Sequence, residues 1–367
     1  MKTDRWAGDK KMKKTTLDLR NAANFGRTIV KNDILYLVMS ACGCGFVFTG
    51  KKLIIEIGCD DSAIKDGNPS NFPRAAVFVD GKPVVKKVID SEKERFVIVD
   101  EAESVQKKVK IIKLSEAAFS IVKIYPVQTD DEASVVPIKQ EDYKIEFIGD
   151  SITCGYGVDD ANINSLFSTA AENAMKSYAY LTARLLNAQY SMFSASGYGI
   201  ISGYTDNGEI NLPERIPPYY ESYGFSYSSI DGVRPYEMKW DFGRYVPDLI
   251  VINLGTNDNS YCKGSDKLKS EFEDAYLQFL KCVRKNNPDS EILCVLGIME
   301  TELFPCIQSA CERMRLETGE DKLRTFELSR QDGLLGYSCN WHPSEDTHAL
   351  QAEKLAAFIE KTYPVCK

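Results

Sequence analysis

A chain of 367 residues with 44% hydrophobic and 27% charged side chains has the composition of a folded, globular protein, not of a disordered or low-complexity one. Its formal charge of −8 leaves no basic footprint, which argues against nucleic acid and against an anionic membrane surface as partners. The length exceeds that of a usual single domain, so two domains with separate cores are expected.

The N-terminus is basic (Lys2, Arg5, Lys10, Lys11, Lys13, Lys14) but lacks the apolar stretch of a signal peptide. The longest apolar run, Ile34 to Phe48, is broken by Gly43 and Gly45 and is too short to span a bilayer. A cytoplasmic protein is expected, or one whose export signal has been removed. The eleven cysteines are odd in number and scattered, which points to reduced thiols and not to a disulfide framework. Cys42-Gly-Cys44 has no second pair at zinc spacing and no histidine nearby, so ordinary strand cysteines are a better reading than half a metal site.

From about residue 15 to 125, short apolar runs alternate with Gly, Asp, Asn and Lys: Ile29 to Val38, Gly45 to Thr49, Leu53 to Ile57, Ala75 to Val79, Arg95 to Val99, Lys108 to Leu114 and Phe119 to Tyr125. In-and-out alternation, as in Val97-Ile98-Val99, and the Asp80-Gly81 hairpin signal predict an all-β, antiparallel sandwich of jelly-roll type. The acidic, proline-bearing segment Gln128 to Asp142 places the boundary, with a β-sandwich domain over residues 1–135 and a second domain over 141–367.

Beyond it the period changes. Tyr143 to Ile148, Tyr190 to Ser196, Asp248 to Leu254, Glu291 to Ile298 and Leu323 to Leu328 read as strands. Ser177 to Asn187, Leu268 to Lys285, Pro305 to Glu317 and Thr347 to Thr362 read as helices. Continuous apolar strands alternating with helices predict an α/β domain of three layers, α/β/α, around a parallel sheet. Ligands of such sheets sit beyond the carboxyl ends of the strands, where Ser151 and Asn257 fall. One insertion, Thr205 to Trp240, rich in tyrosine, proline and glycine, is long enough to be a functional loop.

Four short blocks bear chemistry. Gly149-Asp150-Ser151 follows a strand, and a serine there can be a nucleophile, although Asp-Ser turns are common. Ser194-Ala-Ser-Gly-Tyr-Gly199 ends the next strand; its glycines let a backbone N–H approach a ligand, and equally make a tight turn. Asn253-Leu-Gly-Thr-Asn-Asp258 ends a third, where the Asn257 amide can donate to an oxyanion or cap a turn. Trp341-His342-Pro343 precedes the last helix, and the chain holds only two histidines, His342 and His348, so a Ser/His enzyme must draw its base from these. His348 lies among the helix-start residues Ser344, Glu345, Asp346 and Thr347, which favours a structural role.

Taken in order, these blocks resemble the SGNH (GDSL-like) hydrolase family over roughly residues 141 to 367. With Phe25-Gly-Arg27, Phe46-Val-Phe-Thr-Gly50 and Trp240-Asp-Phe, the whole chain looks like carbohydrate esterase family 2, in which a jelly roll precedes an SGNH domain. The resemblance implies an acetyl esterase acting on acetylated oligo- or polysaccharides, without metal or organic cofactor. It implies Ser151 as nucleophile, His342 as base, and Ser151 N–H, Gly199 N–H and the Asn257 amide as the oxyanion hole, with Gly197 as the substitute for Gly199. Where SGNH enzymes commonly carry an Asp three residues before the histidine, this chain has Cys339. A dyad with the ring held by a backbone carbonyl is therefore expected, Asp332 being a remote substitute. Trp341 and Tyr204 offer aromatic faces for sugar rings, although plain packing is an alternative for Tyr204. Two other functions stay open: hydrolysis of lipid or thioester acyl chains, and carbohydrate binding on an inactive scaffold. Retention of Ser151, Gly199, Asn257 and His342 together speaks against the latter, since binding alone needs none of them.

Overall fold

The computed structural model describes residues 12–363. The basic residues Lys2, Arg5, Lys10 and Lys11 and the thiol of Cys366 lie outside the described residues. Among the described residues every cysteine is a free thiol, and no helix is long and apolar enough to cross a membrane. Cys42 and Cys44 sit buried at the start of the strand Gly43–Cys59.

The N-terminal half is an eleven-stranded antiparallel sheet folded as the expected jelly roll. Its spine is the pairing of two long strands, Gly43–Cys59 and Glu94–Lys113, with register breaks between Gly50 and Lys52 and between Leu53 and Ile54. Such bulges bend and twist a strand pair, which lets one long strand serve both layers of a sandwich. The last strand of this sheet, Ser134–Pro137, pairs with Phe46 to Thr49, so the antiparallel sheet continues just past residue 135.

The second half is a parallel sheet of five strands: β1 (Lys144–Gly149), β2 (Gln189–Ser194), β3 (Leu249–Asn253), β4 (Glu291–Leu296) and β5 (Leu323–Glu327), in the order β2-β1-β3-β4-β5. Around it lie α1 (Ser151–Cys154), α2 (Tyr178–Leu185), α3 (Thr256–Cys262), α4 (Asp266–Asn286), α5 (Phe304–Thr318) and α6 (Glu345–Thr362). The longer helices begin where the hydroxyl caps stand: Ser177, Ser265 and Ser344 accept from the backbone N–H groups of Tyr180, Leu268 and Thr347. Ser177 is thus the cap of α2 and not its first helical residue.

The cores are not separate, contrary to the expectation from length. One apolar cluster joins Phe46, Phe48 and Leu53 of the sandwich to Ile148, Ile250 and Ile252; the other joins Phe25 and Ile112 to Phe147, Val251 and Leu355. The clusters divide by face of the parallel sheet, because neighbouring strand residues point to opposite sides, and each face is continued by sandwich residues. Arg27 makes a polar link across the same junction. Its buried guanidinium donates to the carbonyls of Tyr220 and Ser222, both at 2.5 Å, and pairs with Glu146 of β1 at 3.1 Å. The rings of Phe193, Tyr220, Trp240 and Phe242 surround it. The Thr205 to Trp240 insertion is thereby tied down at Tyr220 and Ser222, with the rings of Phe225, Tyr219 and Tyr236 packed together.

Candidate active site

In an open parallel sheet whose order reverses about its first strand, the crevice opens beside that strand's carboxyl end. Here β1 delivers Ser151 as the first residue of α1, and its neighbour β3 delivers Asn257 at the start of α3. Gly149 is required where it stands: a Cβ there would come within 2.0 Å of Thr153 Oγ1. His342 arrives from the connection before α6, turned inward by two successive left-handed residues, Asn340 and Trp341.

Ser151 Oγ and His342 Nε2 are 2.9 Å apart, although the two residues are 191 positions apart in the chain. The other ring nitrogen, Nδ1, lies 3.1 Å from the carbonyl of Asn340. A carbonyl can only accept, so Nδ1 carries the proton and the Nε2 lone pair faces the serine hydroxyl. Burial holds the imidazole neutral by pushing its pKa down to about 4, so at neutral pH the ring is available as a base. The thiol of Cys339 donates to Ser165 O at 3.1 Å, and exposed Asp332 accepts the Leu334 N–H at 3.0 Å. Neither the thiol nor the carboxylate is hydrogen-bonded to the ring.

The glycine block differs from what the resemblance implied. The Gly199 N–H donates to Glu214 O at 3.1 Å and is therefore spent, and a Cβ on Gly199 would lie 2.0 Å from Ser202 O. Gly199 is there for close packing under the insertion, not as a donor. Gly197, two residues earlier, adopts φ +82°, and neither its N–H nor that of Ser151 has a partner among the described residues. The Asn257 amide knits these pieces together, donating to Tyr198 O at 2.8 Å and contacting Asp150 Oδ2 at 3.4 Å, so it bridges the residue after Gly197 and the residue before Ser151.

Two buried carboxyls brace the frame. Asp150 caps α1 by accepting the Ile152 N–H, and Asp258 gathers the N–H groups of Ile200, Ile201 and Ser202. Burial raises both, to about 7 for Asp150, which also feels the charge of Asp258, and to about 6 for Asp258. Tyr156, not singled out in the sequence, stacks on His342 with ring centroids 4.1 Å apart and an interplanar angle of 26°. Its signal was present: it stands between Gly155 and Gly157, both left-handed, in the turn that follows α1.

His348 is fully buried on α6, where Nδ1 accepts the Tyr178 N–H at 3.1 Å. Trp341 is 53% exposed and packs edge-on against Tyr337; Tyr204 is 54% exposed, its hydroxyl on Asp206 and its N–H on Gly197 O. Both present rings to solvent on segments joined to the site.

Residues 147–350 match the GDSL-like Lipase/Acylhydrolase family, and the chain belongs to it. Among relatives, the cellulase/esterase CelE of Acetivibrio thermocellus is 34% identical over 305 residues, which are 81% of this chain and 35% of CelE, so the chain spans about a third of that protein. An acetylxylan esterase / glucomannan deacetylase of Cellvibrio japonicus is 27% identical over 281 residues, 76% of this chain and 74% of that one. The structure of a family two carbohydrate esterase from Clostridium thermocellum in complex with cellohexaose superposes with TM-score 0.76 at 29% identity, covering 93% of this chain and 98% of that one. The acetyl xylan esterase Est2A from Butyrivibrio proteoclasticus, TM-score 0.84 at 22% identity over 95% of this chain and 98% of that one, shares the fold.

Proposed function

We propose that this protein is a serine esterase that removes acetyl groups from the hydroxyls of oligo- or polysaccharides through an acetyl-enzyme. The observation that carries the reading is the 2.9 Å approach of His342 Nε2 to Ser151 Oγ with Nδ1 fixed on a backbone carbonyl. As Oγ attacks the acetyl carbonyl, Nε2 takes the hydroxyl proton and the carbonyl oxygen becomes an oxyanion. The Ser151 N–H, the Gly197 N–H and the Asn257 amide receive that charge. Collapse breaks the bond to the sugar oxygen, which leaves with the proton from the imidazolium. Water, deprotonated in turn by His342, then releases acetate and restores the serine. The Asn340 carbonyl does the orienting that a triad carboxylate does elsewhere. Trp341 and Tyr204 stack against the sugar. The similarity to the deacetylase of Cellvibrio japonicus and to the cellohexaose complex supports a carbohydrate as the alcohol component.

Comparison of turnover on acetyl and octanoyl p-nitrophenyl esters, followed by acetate release from acetylated xylan, glucomannan and cello-oligosaccharides, tests this function. Preference for acetyl and release from at least one glycan is expected; preference for octanoyl would move the substrate to lipid or thioester acyl chains.

Three substitutions probe the parts. The long Asn257 contact to Asp150 leaves one amide hydrogen for a better acceptor, so Asn257→Ala should lower kcat by roughly a hundredfold with little change in KM. An effect confined to KM would make Asn257 a substrate-binding residue instead. Asp332→Asn should leave kcat within about threefold of wild type, against the roughly ten-thousandfold that loss of a triad carboxylate costs. Cys339→Ala should behave likewise. A near-total loss in a folded Asp332→Asn variant would reveal a carboxylate acting on His342.

A further inference from the structure

The segment from Leu114 to Ser120, which follows the long sandwich strand Glu94–Lys113, lies outside the matched family region yet touches the turn before α2, the insertion and, through two rings, Tyr156. Leu114 O accepts the Ala174 N–H at 2.9 Å, and Ala118 O accepts the Tyr227 N–H of the insertion at 2.8 Å. The Phe119 ring meets Phe167 at 5.1 Å, Phe167 meets Tyr156 at 5.3 Å, and Tyr156 stacks on the base. Between them stands Glu116, fully buried, whose Oε2 accepts the Ser196 N–H at 3.1 Å.

Resting on the reading of Ser151 and Gly197 given above, we propose that Glu116 is a positioning residue of the oxyanion hole, supplied by the sandwich to hold the Ser196–Gly197 peptide. Ser196 is the residue directly before the free N–H of Gly197, and that turn has no strand partner beyond Ser194. Anchoring the Ser196 N–H fixes the orientation of the next peptide, and preorganised donors are effective only when held in place before the charge develops. A bare carboxylate beneath a nascent oxyanion would repel it, and the surroundings prevent this. Glu172, buried alongside, accepts the Glu116 N–H at 2.9 Å, and burial raises both carboxyls above the usual carboxylate range, repulsion from Glu116 adding to the shift of Glu172. The ammonium of Lys113, buried and bonded to the carbonyls of Ser115 and Glu116, offsets the remaining charge.

The test uses p-nitrophenyl acetate with wild type, Ser151→Ala, Glu116→Gln, Glu116→Asp and Glu116→Ala, each checked for a native melting transition. The amide oxygen of Glu116→Gln still accepts from Ser196, and its N–H groups face Glu172, so kcat should stay within about threefold of wild type. Glu116→Asp withdraws the acceptor and Glu116→Ala removes it, so kcat should fall roughly tenfold to a hundredfold with KM little changed. Should the alanine variant fail to fold, the aspartate variant decides. Wild-type kcat in a folded Glu116→Asp, or equal loss in Glu116→Gln, overturns the inference. Activity surviving in Ser151→Ala would instead overturn the reading on which it rests.

Discussion

Ser151→Ala should abolish turnover, lowering kcat by about a millionfold, the scale that nucleophile loss reaches in a serine protease. The hydroxyl is the attacking atom, and nothing near it can replace it. Cys154, one turn along α1, points its thiol at Ser194 Oγ at 3.2 Å, and burial raises its pKa well above that of an ordinary thiol, so no thiolate is available. The fold should survive, because Oγ contributes a single hydrogen bond, to His342, and its loss opens only a small void. Thermal unfolding beside the kinetics checks both halves. More than about a tenth of the wild-type rate in the variant would remove Ser151 from the mechanism.

The two histidines give the second large effect, and they separate function from stability. His342→Ala removes the base and should cost kcat about as much as Ser151→Ala, since members of such a unit fail together. His348→Ala should leave the dyad intact and lower stability. It strips the acceptor from the Tyr178 N–H at the start of α2, worth about 1–3 kcal/mol for a buried donor left unpaired, and opens a cavity besides. Burial pushes both rings below the usual range, so neither is a surface histidine by default; the partner of each ring decides its part. Loss of activity in His348→Ala with retention in His342→Ala would move the base.

Much of this site is legible in the sequence because its parts stand at strand ends. Phe147 to Ile148, Met192 to Phe193 and Ile250 to Ile252 are apolar runs that stop at polar blocks, and the carboxyl ends of buried parallel strands are where such blocks collect. The same pattern could not choose between Gly197 and Gly199. That choice depends on a carbonyl from Glu214, inside an insertion with no regular strand or long helix to betray its path. Glu116, and Tyr156 apart from its flanking glycines, were hard to single out for a related reason. One acts by stacking and the other by a bond across the junction of the two sheets, and neither leaves a periodic trace. The shared cores went unseen because length predicts how many cores a chain can fill, not whether one face of a sheet will be covered by a second sheet.

The Ser151 acetyl-enzyme mechanism is tested most directly by acid-quenching the wild-type enzyme during turnover of an acetylated oligosaccharide and mapping the modified peptide by mass spectrometry. It predicts one acetyl group, on Ser151, that accumulates during turnover and disappears as free acetate when the sugar is exhausted. Acetate release with the acetyl group on another residue, or no acetate from any sugar ester while longer acyl esters are cleaved, would contradict it.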